Sequence, residues 1–428
     1  MSEIAAAGRP TLSAKSPSHS SASVQHGERL AVVSAAAAVA MMPLLIPRGP
    51  SNIAPVDLLI GLTLATAVLW ASLNGRRWHF PYVAAMSLFV VGGCIGALRG
   101  PVPGTGAIAL IQDVTLLFWC WALANVASSP GRLRTLLHTW AYSAIGWTLL
   151  LFIGLLTGTS ALTGQTAREG VRTSLTMSDP NISANYYFIS MMVIWAAQCP
   201  RRRSWRLAAY ALLLAATLTT GSNSAIVSVG LGLGVAGILG LYRREGMVPA
   251  VTATALAVIA IFLVNANLSM SSVVHRAAES KYAFIRDGIG RGQQSAEYRV
   301  GILSESRGLY EGSGTLGAGP VSTKVRFERL QAPVVKEAHD DYLAALVERG
   351  AIGFIGLLLL IATVVARATT IATRSSFHGF GEVVAKPNAI AGAVAGTLAA
   401  AFVYEVLHVR HVWALFALVA AVSIWGRE

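Results

Sequence analysis

Charge is what this sequence has least of. Lys, Arg, Asp and Glu make up 12% of its 428 residues, about half the share found in an ordinary soluble domain. Acids are the scarcer sign, 20 against 33 basic residues. A chain this poor in charge and 54% hydrophobic cannot clothe a soluble globule, and its mean hydropathy of +0.59 points to an integral membrane protein. Lipid then solvates the outer faces of the bundle and lifts the size limit on a single aqueous core. Cysteine is nearly absent too. Cys94, Cys120 and Cys199 stand far apart, in or beside apolar runs. That spacing excludes a disulfide framework and a thiolate metal site and leaves three small hydrophobes. The glycine-rich "EGSGTLGAGP" at 311–320 is followed by no Gly-Lys-Ser/Thr, so it is no P-loop.

What the sequence does have is apolar runs. Crossing a hydrocarbon core takes about 20 mainly apolar residues. Such runs lie near 30–47, 54–73, 80–98, 106–127, 135–157, 181–198, 205–221, 223–242, 248–266, 342–366, 388–404 and 406–426, which predicts an all-α membrane protein with about twelve spans. Residues 1–29, rich in Ser, Ala and Pro, show no apolar periodicity and are expected to form a disordered cytoplasmic tail rather than a cleaved leader. Spans one to nine then occupy 30–266, a long polar loop 267–341, and spans ten to twelve 342–428.

Lys and Arg in short loops set the orientation. With the tail cytoplasmic, the inside connections carry thirteen basic residues, among them Arg201, Arg202, Arg203 and Arg206, and the short outside ones five: Arg48, Arg99, Arg168, Arg172 and Arg410. Both termini are then inside and the long loop is outside. The formal charge of +13 follows largely from this bias. It implies a lipid bilayer as partner and no nucleic acid.

Outside arginines oppose the bias and so are informative. Arg172 lies in "REGVRTSLTMSDPNISANYYF", where Asp179-Pro180-Asn181 opens the sixth span with Asn181 or Ser183 as its expected cap. Arg299 lies in "SAEYRVGILSESRGLY", read as a helix on the outer surface, and Arg276, Arg286, Arg291 and Arg307 are further anion binders or solvated charges. His339 opens the tenth span, with Tyr342, Leu343 and Leu346 on its helical face. Asp340 and Asp341 beside it suit a helix start, the orientation of an imidazole, or a divalent metal. Glu348 and Arg349, deeper in, read as an internal ion-pair network. Glu405, His408, Arg410 and His411 lie between the last two spans and are expected to line the same cavity.

"RTSLTMSDPNISANY" before span six, "LGAGP" in the long loop and "HDDYLAALVERGAIG" closing it, in this order and on this side, resemble the O-antigen ligase and polymerase superfamily. The resemblance covers about residues 30 to 425. It implies a fold similar to the GT-C glycosyltransferases, no metal and no cofactor, and a site on the outer face of the bacterial inner membrane. It also implies a polyprenyl-diphosphate-linked glycan donor, a glycan or glycolipid acceptor, His339 as base, and Arg172 and Arg299 as diphosphate-binding residues. Asp340 stands where members often have Asn, and Ser222-Asn223 stands where they often have Ser-Arg. The residue types suit that chemistry: imidazole takes a proton near neutral pH, and guanidinium holds phosphate oxygens in a fork. The competing class is a transporter or lipid flippase, which favours repeated halves and midplane sites. No convincing internal repeat is visible, and the polar residues gather at one face.

Overall fold

The computed structural model describes residues 19–47, 53–74, 78–166, 170–267, 270–281, 286, 301, 307, 308, 310–312, 314–329, 340–374 and 379–426. Among these there is helix and no strand. The helices are α1 (His19–Ala40), α2 (Pro55–Asn74), α3 (Val83–Arg99), α4 (Pro103–Val126), α5 (Pro130–Thr157), α6 (Ser160–Thr163), α7 (Pro180–Ala197) and α8 (Arg203–Thr219). There follow α9 (Asn223–Glu245), α10 (Met247–Asn267), α11 (Met270–Ala278), α12 (Ser322–Arg329), α13 (Asp341–Thr373), α14 (Pro387–Ala401) and α15 (Arg410–Trp425).

A helix stands over each of the twelve apolar runs. Among the described residues, five helical segments are long and apolar enough to cross a membrane: Pro55–Leu73, Pro103–Val126, Pro130–Thr157, Asn223–Glu245 and Asp341–Thr373. Val83–Arg99, Met247–Leu263, Pro387–Ala401 and Arg410–Trp425 are apolar but shorter. Local chemistry sets the helix starts. Proline opens α4, α5, α7 and α14, where its missing N–H costs nothing. Ser129 caps α5 by accepting from the Arg132 N–H, and Gly158, at φ 70°, ends that helix. The start of α1 departs from the expected tail, since residues 19–29 are helical. Its burial of Ala31, Ala35 and Ala38 and a Glu28–Arg132 ion pair account for the helix reaching back past residue 30.

Between helices in lipid there is little hydrophobic force, so close backbone packing carries association. At the α3–α13 crossing a Cβ on Gly92 would lie 2.4 Å from the Gly353 nitrogen, and one on Gly356 2.4 Å from the Phe89 nitrogen. Helices α7 and α15 are buried along nearly their whole length and form the centre. Helix α10 lies at the rim on α9, with Val248, Ile261 and Phe262 largely exposed.

The two ends of the bundle differ in kind. At one, Trp70, Trp78, Phe80, Phe118 and Trp121 form a chain of ring contacts with centroids 4.9–6.2 Å apart. At the other meet the starts of α2, α7, α9, α13 and α15 and the ends of α3, α5, α8 and α14. Hydrogen bonds join these pieces, such as Leu45 N–H to Thr176 O at 3.1 Å and Thr173 N–H to Thr219 O at 3.1 Å.

Candidate functional site

The segment before α7 is buried irregular backbone whose polar groups are satisfied by design of its sequence. Leu175 and Ser178 adopt φ 51° and 63°, which turns the chain back on itself. The N–H groups of Ser174 and Leu175 both donate to Thr163 O, at 2.9 and 3.0 Å. Thr176 Oγ1 donates to Pro43 O at 2.6 Å and Ser183 Oγ to Ser174 O at 2.6 Å. Ser and Thr are the residues able to replace ladder hydrogen bonds in this way.

This scaffold delivers Arg172. Its Nε donates to Thr220 O at 2.7 Å and its Nη2 to Asn181 Oδ1 at 3.3 Å. Asn181 Oδ1 also accepts from Ser222 Oγ at 2.8 Å, and Ser222 shares a 2.8 Å bond with Ser224. Asn181 is therefore a bridge and not the expected cap. Asp179 caps α7, with Oδ1 accepting from the Asn181 N–H at 2.7 Å, because Pro180 at the first helical position makes residue 179 the cap. The guanidinium so lies where α7 and α9 both begin. Two helix N-termini and an arginine at one point favour an anion.

A second cluster of polar groups lies at the start of α13. Asp340 caps it, with Oδ1 accepting from the N–H of Tyr342 at 2.8 Å and Leu343 at 3.2 Å. Partial burial pushes the Asp340 carboxyl above the ordinary carboxylate range, against the opposing pull of those two N–H groups. Asp341 Oδ2 accepts from the N–H of Val406 at 2.7 Å and Leu407 at 3.2 Å, and so ties α13 to the α14–α15 connection. Tyr342 stacks on Phe402 at 4.0 Å and donates from its hydroxyl to Leu398 O at 3.1 Å. Among the described residues no group of three or more His, Cys, Asp or Glu is placed to hold a metal ion.

Two turns into α13 the helix breaks at Gly350, φ 65° and ψ −170°. The break frees two carbonyls: Val347 O accepts from the Ala318 N–H at 2.8 Å and Glu348 O from the Gly319 N–H at 2.9 Å. "LGAGP" and "VERG" are thus one unit. Only glycine tolerates the contact, since a Cβ on Gly350 would lie 2.4 Å from Thr315 O and one on Gly317, itself at φ 83°, 2.5 Å from the Gly350 nitrogen.

The expected Glu348–Arg349 network resolves differently. Adjacent helical residues point apart. The buried Glu348 carboxylate accepts from the N–H of Val321 at 3.0 Å and Thr323 at 3.3 Å. Arg349 instead meets Asp113 at 2.6 Å, over the Phe89 ring at 4.0 Å. Arg410 makes a fork to Asp57, 3.0 and 2.7 Å, and His411 is buried against Asn185 Oδ1 at 3.0 Å. His408 lies within electrostatic reach of Asp113 and His411. Sequence reading passed over Asp57 and Asp113. Each is the single charged residue of its apolar helix, a signal that demands a partner inside the bundle.

The structure brings Arg172 and Asn181 together, and Asp340, Asp341 and Tyr342 together. His339 and Arg299 lie outside the described residues. Residues 208–358 match the family model described as O-antigen ligase. That stretch runs from α8 past the Gly350 break and takes in Ser222, the long loop, "LGAGP" and Glu348. It supports the resemblance to the O-antigen ligase and polymerase superfamily. No curated protein matches the chain.

Proposed function

We propose that this chain, which carries an O-antigen ligase domain over residues 208–358, is a multi-pass glycosyltransferase of the bacterial inner membrane. It transfers a glycan, with inversion, from a polyprenyl-diphosphate carrier to an acceptor hydroxyl at the outer face. The observation that carries this reading is the seat of Arg172, whose guanidinium is held by Thr220 O and Asn181 Oδ1 at the joined starts of α7 and α9. A leaving diphosphate gains negative charge there, and a helix N-terminus beside a guanidinium stabilises it.

In this reading His339 accepts the acceptor's proton. The acceptor oxygen then attacks the anomeric carbon, the bond from that carbon to the diphosphate oxygen breaks, and the carrier diphosphate leaves with the electron pair. Arg172 and Arg299 take its charge. Twelve spans in a GT-C-like arrangement, cytoplasmic termini and an external 267–341 loop belong to the same proposal. That geometry keeps the carrier's tail in lipid and its sugar in water.

The test is purified protein in detergent with a polyprenyl-diphosphate-linked glycan and candidate acceptors. Release of carrier diphosphate together with glycosylated acceptor is the expected result. Uptake of lipid-linked glycan by proteoliposomes without bond cleavage would replace this reading with a flippase.

A further inference from the structure

We propose that Ser222 is a positioning residue for the donor's diphosphate: its hydroxyl holds the Asn181 amide and, through it, the plane of the Arg172 guanidinium. The inference rests on the reading of Arg172 as an anion-binding residue and adds the group that aims it.

Ser222 stands where a helix cap is expected and does not act as one. It is the N-cap residue of α9, with extended backbone at φ −90° and ψ 115°, yet its side chain makes no capping bond. Serine is favoured at that position because its oxygen accepts from the first unpaired N–H groups of the helix. Ser129 and Asp340 do this at the starts of α5 and α13. The buried Ser222 hydroxyl turns instead to Asn181 Oδ1 at 2.8 Å and shares a 2.8 Å bond with Ser224 Oγ. The capping bond is given up, and the bond to Asn181 is what replaces it.

The chemistry of the groups fixes the direction of these bonds. A guanidinium has donors only, so the Asn181 atom that meets Arg172 Nη2 is the oxygen. Ser222 must then donate to that same oxygen, and its own oxygen is left to accept from Ser224. With Ser222 in place two donors pin Oδ1. Without it one donor remains, and the amide is free to turn.

The turn 220–222 reaches the guanidinium twice. Thr220 O accepts directly from Arg172 Nε at 2.7 Å, and Ser222 acts through Asn181. Gly221, at φ 57°, reverses the chain between them, a conformation that glycine adopts without strain. The Ser222 N–H closes the turn onto Thr220 Oγ1 at 3.3 Å, and Thr220 Oγ1 donates to Thr217 O at 2.6 Å. A second tie lies beside Arg172, where Thr173 and Thr219 share a 2.7 Å hydroxyl bond. Both Arg172 bonds fall on the Nε–Nη2 edge, and two fixed points on one edge of a rigid planar group set its plane. A fork that must meet phosphate oxygens depends on that plane.

The test uses the full chain in detergent with Ser222→Ala and Ser222→Gly, titrated calorimetrically with a soluble prenyl diphosphate. Both variants remove the hydroxyl, but glycine serves at an N-cap nearly as well as serine, and alanine does not. The dissociation constant should rise about 3- to 10-fold in both, the loss expected for one hydrogen bond, and the donor KM of glycan transfer should rise with it. On an Arg172→Ala background Ser222→Gly should weaken binding no further, because its effect passes through the guanidinium. Should the Ala variant fail to fold, the Gly variant and its Arg172→Ala partner decide. Unaltered affinity in the Gly variant overturns the inference: if Ala alone binds weakly, Ser222 is a structural cap. A full additional loss on the Arg172→Ala background overturns it too, as does a lowered kcat with unaltered donor KM. No binding by the unaltered protein sinks the reading of Arg172 as a diphosphate-binding residue and takes this inference with it.

Discussion

Two groups of helices at the polar end of this bundle treat arginine differently. On the α3–α4–α13–α15 wall, Arg349 and Arg410 are each locked to a carboxylate, Asp113 at 2.6 Å and Asp57 at 2.7 Å. On the α7–α8–α9 wall, Arg172 donates to a carbonyl and an amide oxygen where two helices begin. A guanidinium locked to an acid inside an apolar bundle fixes the distance between helices. A guanidinium beside two helix N-termini lies where negative charge is favoured. On the function proposed above, the first holds geometry and the second is where the donor's diphosphate would bind. Each wall can be broken separately.

The largest effect is expected at His339, the residue that precedes the Asp340 cap of α13 in sequence. His339→Ala should leave donor binding intact and lower the transfer rate about 10²–10⁴-fold, the usual share of a positioned general base. His339→Gln should be nearly as slow, since an amide holds a hydroxyl but takes no proton at neutral pH. Near-normal turnover in the Gln variant would refute the base assignment.

Next comes the lock itself. Asp113→Asn leaves the Arg349 charge uncompensated within the bundle, and breaking a buried pair costs about 3–5 kcal/mol. Thermal unfolding in detergent should show this. The double variant Asp113→Leu with Arg349→Met removes both charges and should recover most of that loss, since apolar replacement of a buried pair is often neutral. Recovery of stability with no recovery of turnover would show that the lock serves the site as well as the fold.

The membrane class and the helical segments were legible from composition and run length alone, because lipid forces an apolar helix to declare itself. The start of α7 was legible from its Asp-Pro-Asn turn, whereas α5 begins at Pro130, five residues before the apolar run that marked it. Pairings distant in sequence were not. "LGAGP" and "VERG" each look like ordinary glycine turns until Gly350 breaks α13 and exposes the two carbonyls that Ala318 and Gly319 need. Arg349 was legible as part of an internal ion-pair network, but not the identity of its partner, since side chains one apart on a helix diverge and Arg349 turns from Glu348 to Asp113. Its partner on α4 was marked only by being alone there. Asp341 was legible as an acid at a helix start, yet its carboxylate serves Val406 and Leu407, more than sixty residues away.

The second wall is expected to give smaller changes. Arg172→Ala should raise the donor KM, losing about 1.5–3 kcal/mol as for hydrogen bonds to a charged group, with little change in acceptor KM. Arg172→Lys should rescue only in part, since an ammonium lacks the planar fork that spans Thr220 O and Asn181 Oδ1. Isothermal titration with a soluble prenyl diphosphate separates this from a folding defect. Equal donor affinity in all three proteins would remove Arg172 from the site and leave the second wall structural.

The smallest effect tests whether Asp340 is a cap or something more. Asn caps helices about as well as Asp, so Asp340→Asn should change stability by less than about 1 kcal/mol and leave turnover near normal. The sign depends on pH. Partial burial raises the native carboxyl above its unfolded value of about 3.9. The native state therefore binds the proton more tightly, and its contribution to stability is present below the ordinary carboxylate range and is lost as pH rises through the raised value. Asn does not titrate there. At pH 7 the Asn variant should thus melt at the same temperature as the unaltered protein or slightly higher, and the unaltered protein should gain on it as pH falls toward 4. Melting curves of the two proteins over that range provide the measurement. A gap that widens in favour of Asn on acidification would mean that the Asp340 carboxylate is held by a cation. Turnover lost in the Asn variant and restored by added Mg²⁺ would make that cation a metal.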